Sequence, residues 1–260
     1  MIGPSRKMTP QSTKSVEWAD DQARVGISTN SPDNVTTRIE GHTFLPSLVG
    51  PGSLVLDIGA NHGQFTRAIA RKFGCKVHAV EPNPLLCSGL QELAIPGVTV
   101  HGVALADTGG LRPFLLMDNS ESSHFCNVDS ANESVVYVKA MTLEDLIAAI
   151  PGGCIDLIKM DVEGAELNAL EGVPAKTIEG IKQLTVEFHQ FLHPESRARI
   201  EAVKKRFSDS GFWVVDFSRT NYDVLFIHSS VRPRPYIRAL IQYEKYKLQM
   251  GRGFSQWLAW

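Results

Sequence analysis

Residues Ser53–Gly74 read SLVLDIGANHGQFTRAIARKFG and hold the features that decide the fold. A short apolar run ends at Asp57, and glycines follow at Gly59 and Gly63. A pattern with helical spacing begins directly after the second glycine, so the stretch predicts a buried strand, a tight turn and a helix. In an open α/β sheet the loop after the first strand borders the ligand crevice, and we expect the chemistry to lie there.

Outward from this stretch, short β-branched runs alternate with segments of helical spacing. This alternation predicts an α/β fold, a mostly parallel sheet with helices on both faces. Near the end, FWVVDFS and YDVLFIH flank the turn-like RTN and predict an antiparallel hairpin at the sheet edge. The predicted strands are Leu54–Asp57, Lys76–Val80, Val98–Val103, Ile155–Met160 and Leu184–Phe188, with Leu111–Met117 and Val135–Lys139 as an inserted pair; the predicted helices are Gly63–Phe73, Leu85–Leu93, Leu143–Ile150, Glu166–Leu170 and Glu195–Ser210.

The chain divides into three predicted segments. Residues 1–33 are rich in Ser, Thr, Pro and charge, which is typical of a flexible arm. Residues 34–230 carry the alternating pattern and form the predicted domain. Residues 231–260 predict an amphipathic helical extension that packs on its own domain, with binding to a membrane or a partner as the alternative, and its Tyr- and Trp-rich stripe is compatible with a homodimer.

Composition excludes several classes of function. With 43% hydrophobic residues, 21% charged residues and a formal net charge of −2, the 260-residue chain reads as an ordinary globule without a basic nucleic-acid surface. No apolar run approaches the ~18 residues that span a bilayer, so we expect no membrane partner. The four cysteines form no CxxC pair and no signal peptide is visible, which together predict a reduced, cytoplasmic protein.

The glycine loop does not match the known phosphate-binding patterns. A G-x-G-x-x-G fingerprint would place glycines at 59, 61 and 64, but Asn61 and Gln64 stand at two of these positions. The next predicted strand leads to Glu81, about twenty residues further on, where an acid can bind two ribose hydroxyls. Ribose binding without a pyrophosphate seat favours S-adenosylmethionine, with its sulfonium and amino acid tail near Asp57.

The predicted cofactor site draws on both loops. Glycines at the turn would let the backbone approach a ligand, and the N–H groups at the start of the helix favour a polar ligand group. The alternative is that each acid only caps a loop or a helix. The predicted cofactor-binding residues are Asp57, Gly59, Asn61, Gly63, Glu81, Asn83, Ala104 and Asp161.

Five motifs in a fixed order carry a family resemblance. The sequences VLDIGANHGQFT, VEPNP, VALAD, IDLIKMDVEGAELNALEG and TVEFH, from about Ser53 to His189, resemble the FkbM family of S-adenosylmethionine-dependent methyltransferases. The resemblance implies a Rossmann-like seven-strand methyltransferase sheet and methyl transfer to a hydroxyl of a sugar, glycoside or polyketide-type small molecule. The arm and the part beyond His193 carry no motif of this family.

Methyl transfer to a hydroxyl requires that the acceptor proton leave. Asp161 follows one strand of the predicted sheet, and Glu187 and His189 share one face at the end of the next, so the three are expected to converge. His189 could be the general base, with an ordinary pKa near working pH. Alternatively, Asp161, Glu187 and His189 hold Mg²⁺, which lowers the pKa of the acceptor oxygen. In a third interpretation, Glu187 and His189 only hydrogen-bond to loops.

Two other functions are compatible with such a sheet. A nicotinamide-dependent oxidoreductase shares the ribose-binding acid, although the incomplete fingerprint counts against it. A catalytically silent binding module would keep the fold, although the intact acids and His189 count against that reading.

Overall fold

The structure is a computed structural model that describes residues 35–116, 124–125, 135–152, 154–190, 194–231 and 233–257. The arm predicted for residues 1–33 lies outside this range. In chain order the strands are β1 (Thr37–Ile39), β2 (His42–Phe44), β3 (Leu54–Ile58), β4 (Lys76–Val80), β5 (Val98–His101), β6 (Ala104–Leu105), β7 (Gly110–Leu115), β8 (His124–Phe125), β9 (Val135–Met141), β10 (Leu157–Met160), β11 (Gln183–Val186), β12 (Phe212–Asp216) and β13 (Val224–His228). The helices are α1 (Gln64–Phe73), α2 (Pro84–Glu92), α3 (Leu143–Ala148), α4 (Glu166–Glu171), α5 (Ala175–Glu179), α6 (Arg197–Asp209) and α7 (Pro235–Trp257).

Seven strands form the main sheet in the order β12-β13-β11-β10-β3-β4-β5. The pairs from β11 across to β5 are parallel, whereas β13 runs antiparallel to both β11 and β12. The predicted α/β fold class, with its antiparallel C-terminal hairpin, is confirmed. The chain leaves β3 towards β4 on one side and later returns to β10 on the other, so the ligand crevice is expected at the carboxyl ends of these strands.

Strand β3 is buried on both sides, which explains its continuous apolar character. Leu56 and Ile58 pack into the core that α3, α4 and α6 cover, whereas Val55 packs with Phe65 of α1 on the opposite face. Each fully buried aliphatic side chain of this kind contributes about 1.5–3 kcal/mol. Helices therefore cover both faces of the sheet, as the alternating pattern predicts.

A second sheet, ordered β6-β9-β7-β8, contains the predicted strand pair β7 and β9. The strand predicted for Val98–Val103 ends earlier, at His101. The Val103 N–H donates to the His101 carbonyl at 3.0 Å, so the backbone turns there. Ala104 then pairs with Ala140 of the second sheet and no longer belongs to the main one.

The hairpin of β1 and β2 is an element that the sequence analysis did not predict. Its two-residue turn has positive φ at Glu40 (45°) and Gly41 (88°), the conformation that tight hairpins require. The Thr43 N–H and hydroxyl both donate to the buried Asp223 carboxylate, at 3.0 and 2.6 Å. The Leu45 N–H donates to Gln183 Oε1 at 2.9 Å, so the hairpin is fixed against the β11–β13 end of the sheet.

Helix α7 lies within the predicted C-terminal extension. Ile241 is buried against the domain, and the Glu244 carboxylate accepts from the Val35 N–H at 2.8 Å. Tyr243 and Tyr246 lie on the outer side of the helix and are 59% and 60% exposed. The predicted homodimer stays a prediction. Among the described residues, no helix combines the length and the apolar character needed to span a bilayer.

Candidate active site

Glu81 ties together the loops that follow β3 and β4. Its Oε2 accepts the Asn61 N–H and its Oε1 accepts the Asn83 N–H, both at 2.8 Å. A carboxylate oxygen has two lone pairs, so one acceptor position on each oxygen stays free of these backbone bonds. Burial raises the pKa of Glu81 although both hydrogen bonds oppose the shift. Glu81 directly follows β4, the position at which the sequence analysis predicts a contact with the ribose.

Asp57 is fully buried and its contacts are internal. Its Oδ2 accepts the Thr66 hydroxyl at 2.5 Å, and its Oδ1 lies 3.2 Å from Lys159 Nζ. The same ammonium donates to the Gly59 carbonyl at 2.6 Å and lies 3.5 Å from Asp161 Oδ2. Burial alone would lower the pKa of Lys159, but Asp57 and Asp161 outweigh it and raise that pKa. Asp57 thus fixes Lys159 and helix α1.

A backbone contact requires glycine at position 59, and a side-chain contact disfavours other residues at position 63. A Cβ on Gly59 would lie 1.7 Å from the Asp161 carbonyl oxygen, and one on Gly63 would lie 2.4 Å from Leu90 Cδ2. Both residues also have positive φ, 80° and 77°. The structure therefore gives a different reason for the glycines than the ligand approach that the sequence analysis assumed.

Replacing Gly59 by alanine is expected to lower the free energy of unfolding by at least ~3 kcal/mol, because left-handed strain and a backbone clash add. Gly52→Ala is the matched control, since Gly52 has φ +89° and no atom within 4 Å of an added Cβ. It should show the strain alone, about 1–2 kcal/mol. Urea unfolding of both variants measures the difference, and equal losses would contradict the close packing at Gly59.

Three further predicted cofactor residues differ in what they offer a ligand. Asn61 has φ 50°, and its side-chain oxygen is buried without a hydrogen-bond partner in the described ranges. Asn83 Oδ1 accepts the Leu85 N–H at 3.0 Å and so caps helix α2. Ala104 is buried in the second sheet. Of these three residues, Asn61 is therefore the one whose buried side-chain oxygen could still accept a hydrogen bond from a ligand.

Asp161, Glu187 and His189 lie together at the carboxyl ends of β10 and β11. His189 Nε2 is 3.6 Å from Asp161 Oδ1, 3.7 Å from Glu187 Oε1 and 3.2 Å from Glu163 Oε2. Its Nδ1 lies 2.8 Å from Glu166 Oε1 at the start of α4. Backbone pairing between the adjacent strands, with the Glu187 N–H on the Met160 carbonyl at 3.0 Å, produces this convergence.

The charges in this cluster shift the pKa values of its members. Burial would lower the pKa of His189, but the hydrogen bond to Glu166 and the surrounding carboxylates raise it to about 9. Burial and the charge of Asp161 raise the pKa of Glu187 to about 7. Burial opposes ionisation of Asp161, yet Lys159, His42 and His189 together lower its pKa. His189 in this arrangement carries a proton at neutral pH, which differs from the ordinary pKa that the sequence analysis assumed.

The sequence analysis missed His42, which strand β2 brings into the cluster. Its Nε2 lies 3.6 Å from Asp161 Oδ2, and the side chain is 1% exposed. The alternation in TRIEGHTF, with Glu-Gly between two three-residue runs, is a weak hairpin signal that could have located it. Lys159 and Glu166 were also missed, although a lone Lys within an apolar strand was a visible signal.

Two groups of side chains within the described ranges bring possible metal-ligand atoms within 4.8 Å of one another. One consists of His42, Asp161 and Glu187, and the other of Asp161, Glu163 and His189. The trio predicted from the sequence is therefore divided between two groups that share Asp161.

The sheet order is that of a Rossmann-like fold, and the match to a family model assigns the chain to the S-adenosylmethionine-dependent methyltransferases. More particularly, the chain belongs to the Methyltransferase FkbM domain family, whose sequence model matches residues 57–245, more than half of its length. The match extends past His193 through β12, β13 and into α7, beyond the motifs quoted from the sequence. No curated protein matches the chain.

Three solved structures that match the chain are distant from it in sequence. Precorrin-6y C5,15-methyltransferase from Geobacter metallireducens GS-15 has 10% identity and a TM-score of 0.36, over 64% of this chain and 67% of its own. An rRNA methylase from Streptococcus thermophilus has 13% identity and a TM-score of 0.39, over 69% and 87%. SMU.1697c of Streptococcus mutans, solved in complex with SAH, has 11% identity and a TM-score of 0.44, over 70% and 91%.

Proposed function

We propose that this protein is an O-methyltransferase that methylates a hydroxyl of a sugar, glycoside or polyketide-type small molecule. The observation that carries the proposal is the convergence of Asp161, Glu187 and His189 beside the cofactor crevice. Lys159 Nζ contacts both Gly59 of the cofactor loop and Asp161 of the cluster, so the two parts of the site adjoin. The acceptor class follows the FkbM resemblance.

The residues of the crevice fit an adenosine-type cofactor. Glu81 keeps an acceptor position on each carboxylate oxygen, which suits the two hydroxyls of a ribose, and Asn61 Oδ1 is a buried acceptor that lacks a donor within the described part of the chain. When bound, S-adenosylmethionine supplies a methyl group on a sulfonium, a good leaving group. Ala104, just past β5, is the proposed neighbour of the adenine. Asp57, Gly59, Gly63 and Asn83 make contacts within the protein and support the two loops from which the cofactor would be bound.

The acceptor hydroxyl must lose its proton where it meets the methyl group. We assign that proton to the Glu187 carboxylate, whose pKa of about 7 suits a base at neutral pH, and the protonated His189, with its Nε2 3.7 Å away, stabilises the charge of that carboxylate. Glu166 is a positioning residue, because its bond to His189 Nδ1 turns Nε2 towards the cluster. Asp161, paired with Lys159, supplies fixed negative charge beside them. Removing a proton from a positioned hydroxyl is worth about 10²–10⁴-fold in rate.

A divalent ion of the Mg²⁺ class at this cluster would assist by lowering the pKa of the acceptor oxygen. Transfer that EDTA abolishes and Mg²⁺ restores would support this version. Methyl transfer that continues at the same rate in EDTA would contradict it, and the proton would then be accepted by the side chains of the cluster without a metal ion.

Glu81→Gln is expected to weaken binding of S-adenosylhomocysteine by about 10–100-fold, since a hydrogen bond to a charged group contributes about 1.5–3 kcal/mol. Glutamine keeps the size of the side chain but replaces one acceptor oxygen by a donor. Glu92→Gln on the exposed side of α2 is the matched control and should bind normally. Isothermal titration measures both, and an unchanged affinity of Glu81→Gln would remove this acid from the cofactor site.

Methyl transfer itself is tested with tritium-labelled S-adenosylmethionine and a panel of glycosides and hydroxylated polyketides. Labelled product from one acceptor class supports the proposal and identifies that class. Cofactor binding without transfer to any acceptor would favour a silent binding module. A thermal shift produced by NAD in place of S-adenosylhomocysteine would favour an oxidoreductase.

A further inference from the structure

We propose that His42, Asp161 and Glu187 form a binding site for one divalent cation on the acceptor side of the active site. The ligand atoms of the three side chains lie within 4.8 Å of one another. The site differs from the sequence-predicted trio because His42, from the hairpin of β1 and β2, takes the place of His189. The role given to the ion rests on the proposed methyl transfer, whereas its binding does not.

The buried imidazole of His42, whose nitrogens make no hydrogen bond within the described ranges, indicates a ligand at this position. The side chain is 1% exposed, and neither ring nitrogen makes a hydrogen bond to any residue that the structure describes. Nδ1 has no hydrogen-bond partner in the described ranges and Nε2 has only the long contact with Asp161, so the protein leaves this buried ring poorly satisfied, and such groups in native proteins call for a specific explanation. Nε2 faces Asp161 Oδ2 at 3.6 Å, which leaves room for an ion between a nitrogen and an oxygen ligand.

The protein holds this imidazole firmly in place. The next residue, Thr43, is fixed by two hydrogen bonds to Asp223, and the edge of the Phe65 ring lies against the imidazole at a centroid distance of 6.0 Å. Leu45 is anchored to Gln183. Since the flanking backbone is fixed in this way, the ring is preorganised towards Asp161.

The charge and type of the ligands indicate the kind of ion. Asp161 and Glu187 contribute two carboxylates and His42 one imidazole, a set that suits hard to borderline divalent ions such as Mn²⁺ and Mg²⁺. Lys159, whose ammonium lies beside Asp161, is already paired with both Asp57 and Asp161. Three protein ligands leave positions open on the ion, as catalytic metal sites require.

An ion at this position would bind the acceptor, and a separate side chain of the cluster would accept the proton. The acceptor hydroxyl would bind at an open position, where the positive charge makes loss of its proton easier. Glu187 would then serve as a ligand, the positive ion would favour the neutral form of the nearby His189, and Nε2 of that neutral ring would accept the proton. The oxygen would take the methyl group as the sulfonium leaves as a neutral thioether, so atoms and charges balance.

The test is a titration of the full chain with Mn²⁺ alone, followed by electron paramagnetic resonance, with no cofactor or acceptor present. We expect one Mn²⁺ per chain with a ¹⁴N coupling from a bound imidazole. His42→Ala should weaken binding at least ~10-fold, the lower end of what a supporting residue of a metal site contributes. His228→Ala is the matched control and should bind normally, because this half-buried imidazole lies outside the cluster and bonds Ser230.

His189→Ala completes the design. A ¹⁴N coupling that persists in this variant supports His42 as the ligand, even if His42→Ala fails to fold. Loss of the coupling would place the ion in the group of Asp161, Glu163 and His189 and overturn the proposal. Absence of Mn²⁺ uptake, or wild-type affinity in a folded His42→Ala, would also overturn it.

The two proposals fail in distinguishable ways. Methyl transfer that continues after EDTA treatment, in a protein that takes up no Mn²⁺, contradicts the ion and leaves the O-methyltransferase standing. Mn²⁺ bound through His42, without transfer to any acceptor, contradicts the methyltransferase and leaves the ion site standing.

Discussion

His189→Ala is expected to lower the turnover of methyl transfer at least ~100-fold, the usual scale for losing a group that handles a proton. His189 Nε2 lies between 3.2 and 3.7 Å from oxygens of Glu163, Asp161 and Glu187, and Glu166 fixes its other nitrogen. No other imidazole of the described chain has this combination of contacts. Turnover at saturating acceptor, measured by transfer of labelled methyl, gives the result.

Two controls separate this effect from general damage. Binding of S-adenosylhomocysteine to His189→Ala should stay within about twofold of the wild type, because the crevice at Glu81 does not depend on this ring. His228→Ala removes a half-buried imidazole outside the cluster and should leave turnover unchanged. Normal turnover in His189→Ala would remove this residue from the chemistry.

Lys159→Met is expected to lower the free energy of unfolding by about 3–5 kcal/mol, because it leaves the fully buried Asp57 carboxylate without its positive partner. The ammonium lies 3.2 Å from Asp57 and 3.5 Å from Asp161, and it also bonds to the Gly59 carbonyl. Methionine fills a similar volume without the charge, so the lost ion pairs dominate the change. Urea unfolding followed by circular dichroism measures it.

Lys182→Met is the matched control for this substitution. Lys182 pairs with Asp156 at 2.6 Å, but its side chain is 40% exposed, so the loss should be within about 1 kcal/mol. A similar loss in both variants would contradict the account of Lys159 as the buried centre of the site.

Local pattern was enough to predict the main elements of the fold. The run Leu54–Asp57 identifies β3, because a strand that is buried on both faces has a continuous apolar sequence. The spacing after Gly63 identifies α1, because an amphipathic helix repeats its apolar residues every three to four positions. The strand beginning at Val98 was predicted too long. Where it stops depends on the pairing of Ala104 with Ala140, a contact across 36 positions that local pattern does not encode.

The candidate site was only partly visible for the same reason. Glu187 and His189 could be placed on one face because they are two positions apart, and parallel pairing with the neighbouring strand brought Asp161 to them. His42 enters from a hairpin whose position depends on Asp223 and Gln183, more than a hundred residues away in the chain. Gly59 was recognised as important, but its close approach is to the Asp161 carbonyl, which only the folded chain reveals.

A crystal structure of the protein with S-adenosylhomocysteine tests the central claim most directly. We expect the two ribose hydroxyls within hydrogen-bond distance of the Glu81 oxygens, and the sulfur on the side of the crevice that faces Asp161 and His189. Density for the nucleoside at another place, or a crevice that takes up NAD with its pyrophosphate on the Gly59–Gly63 turn, would contradict the account.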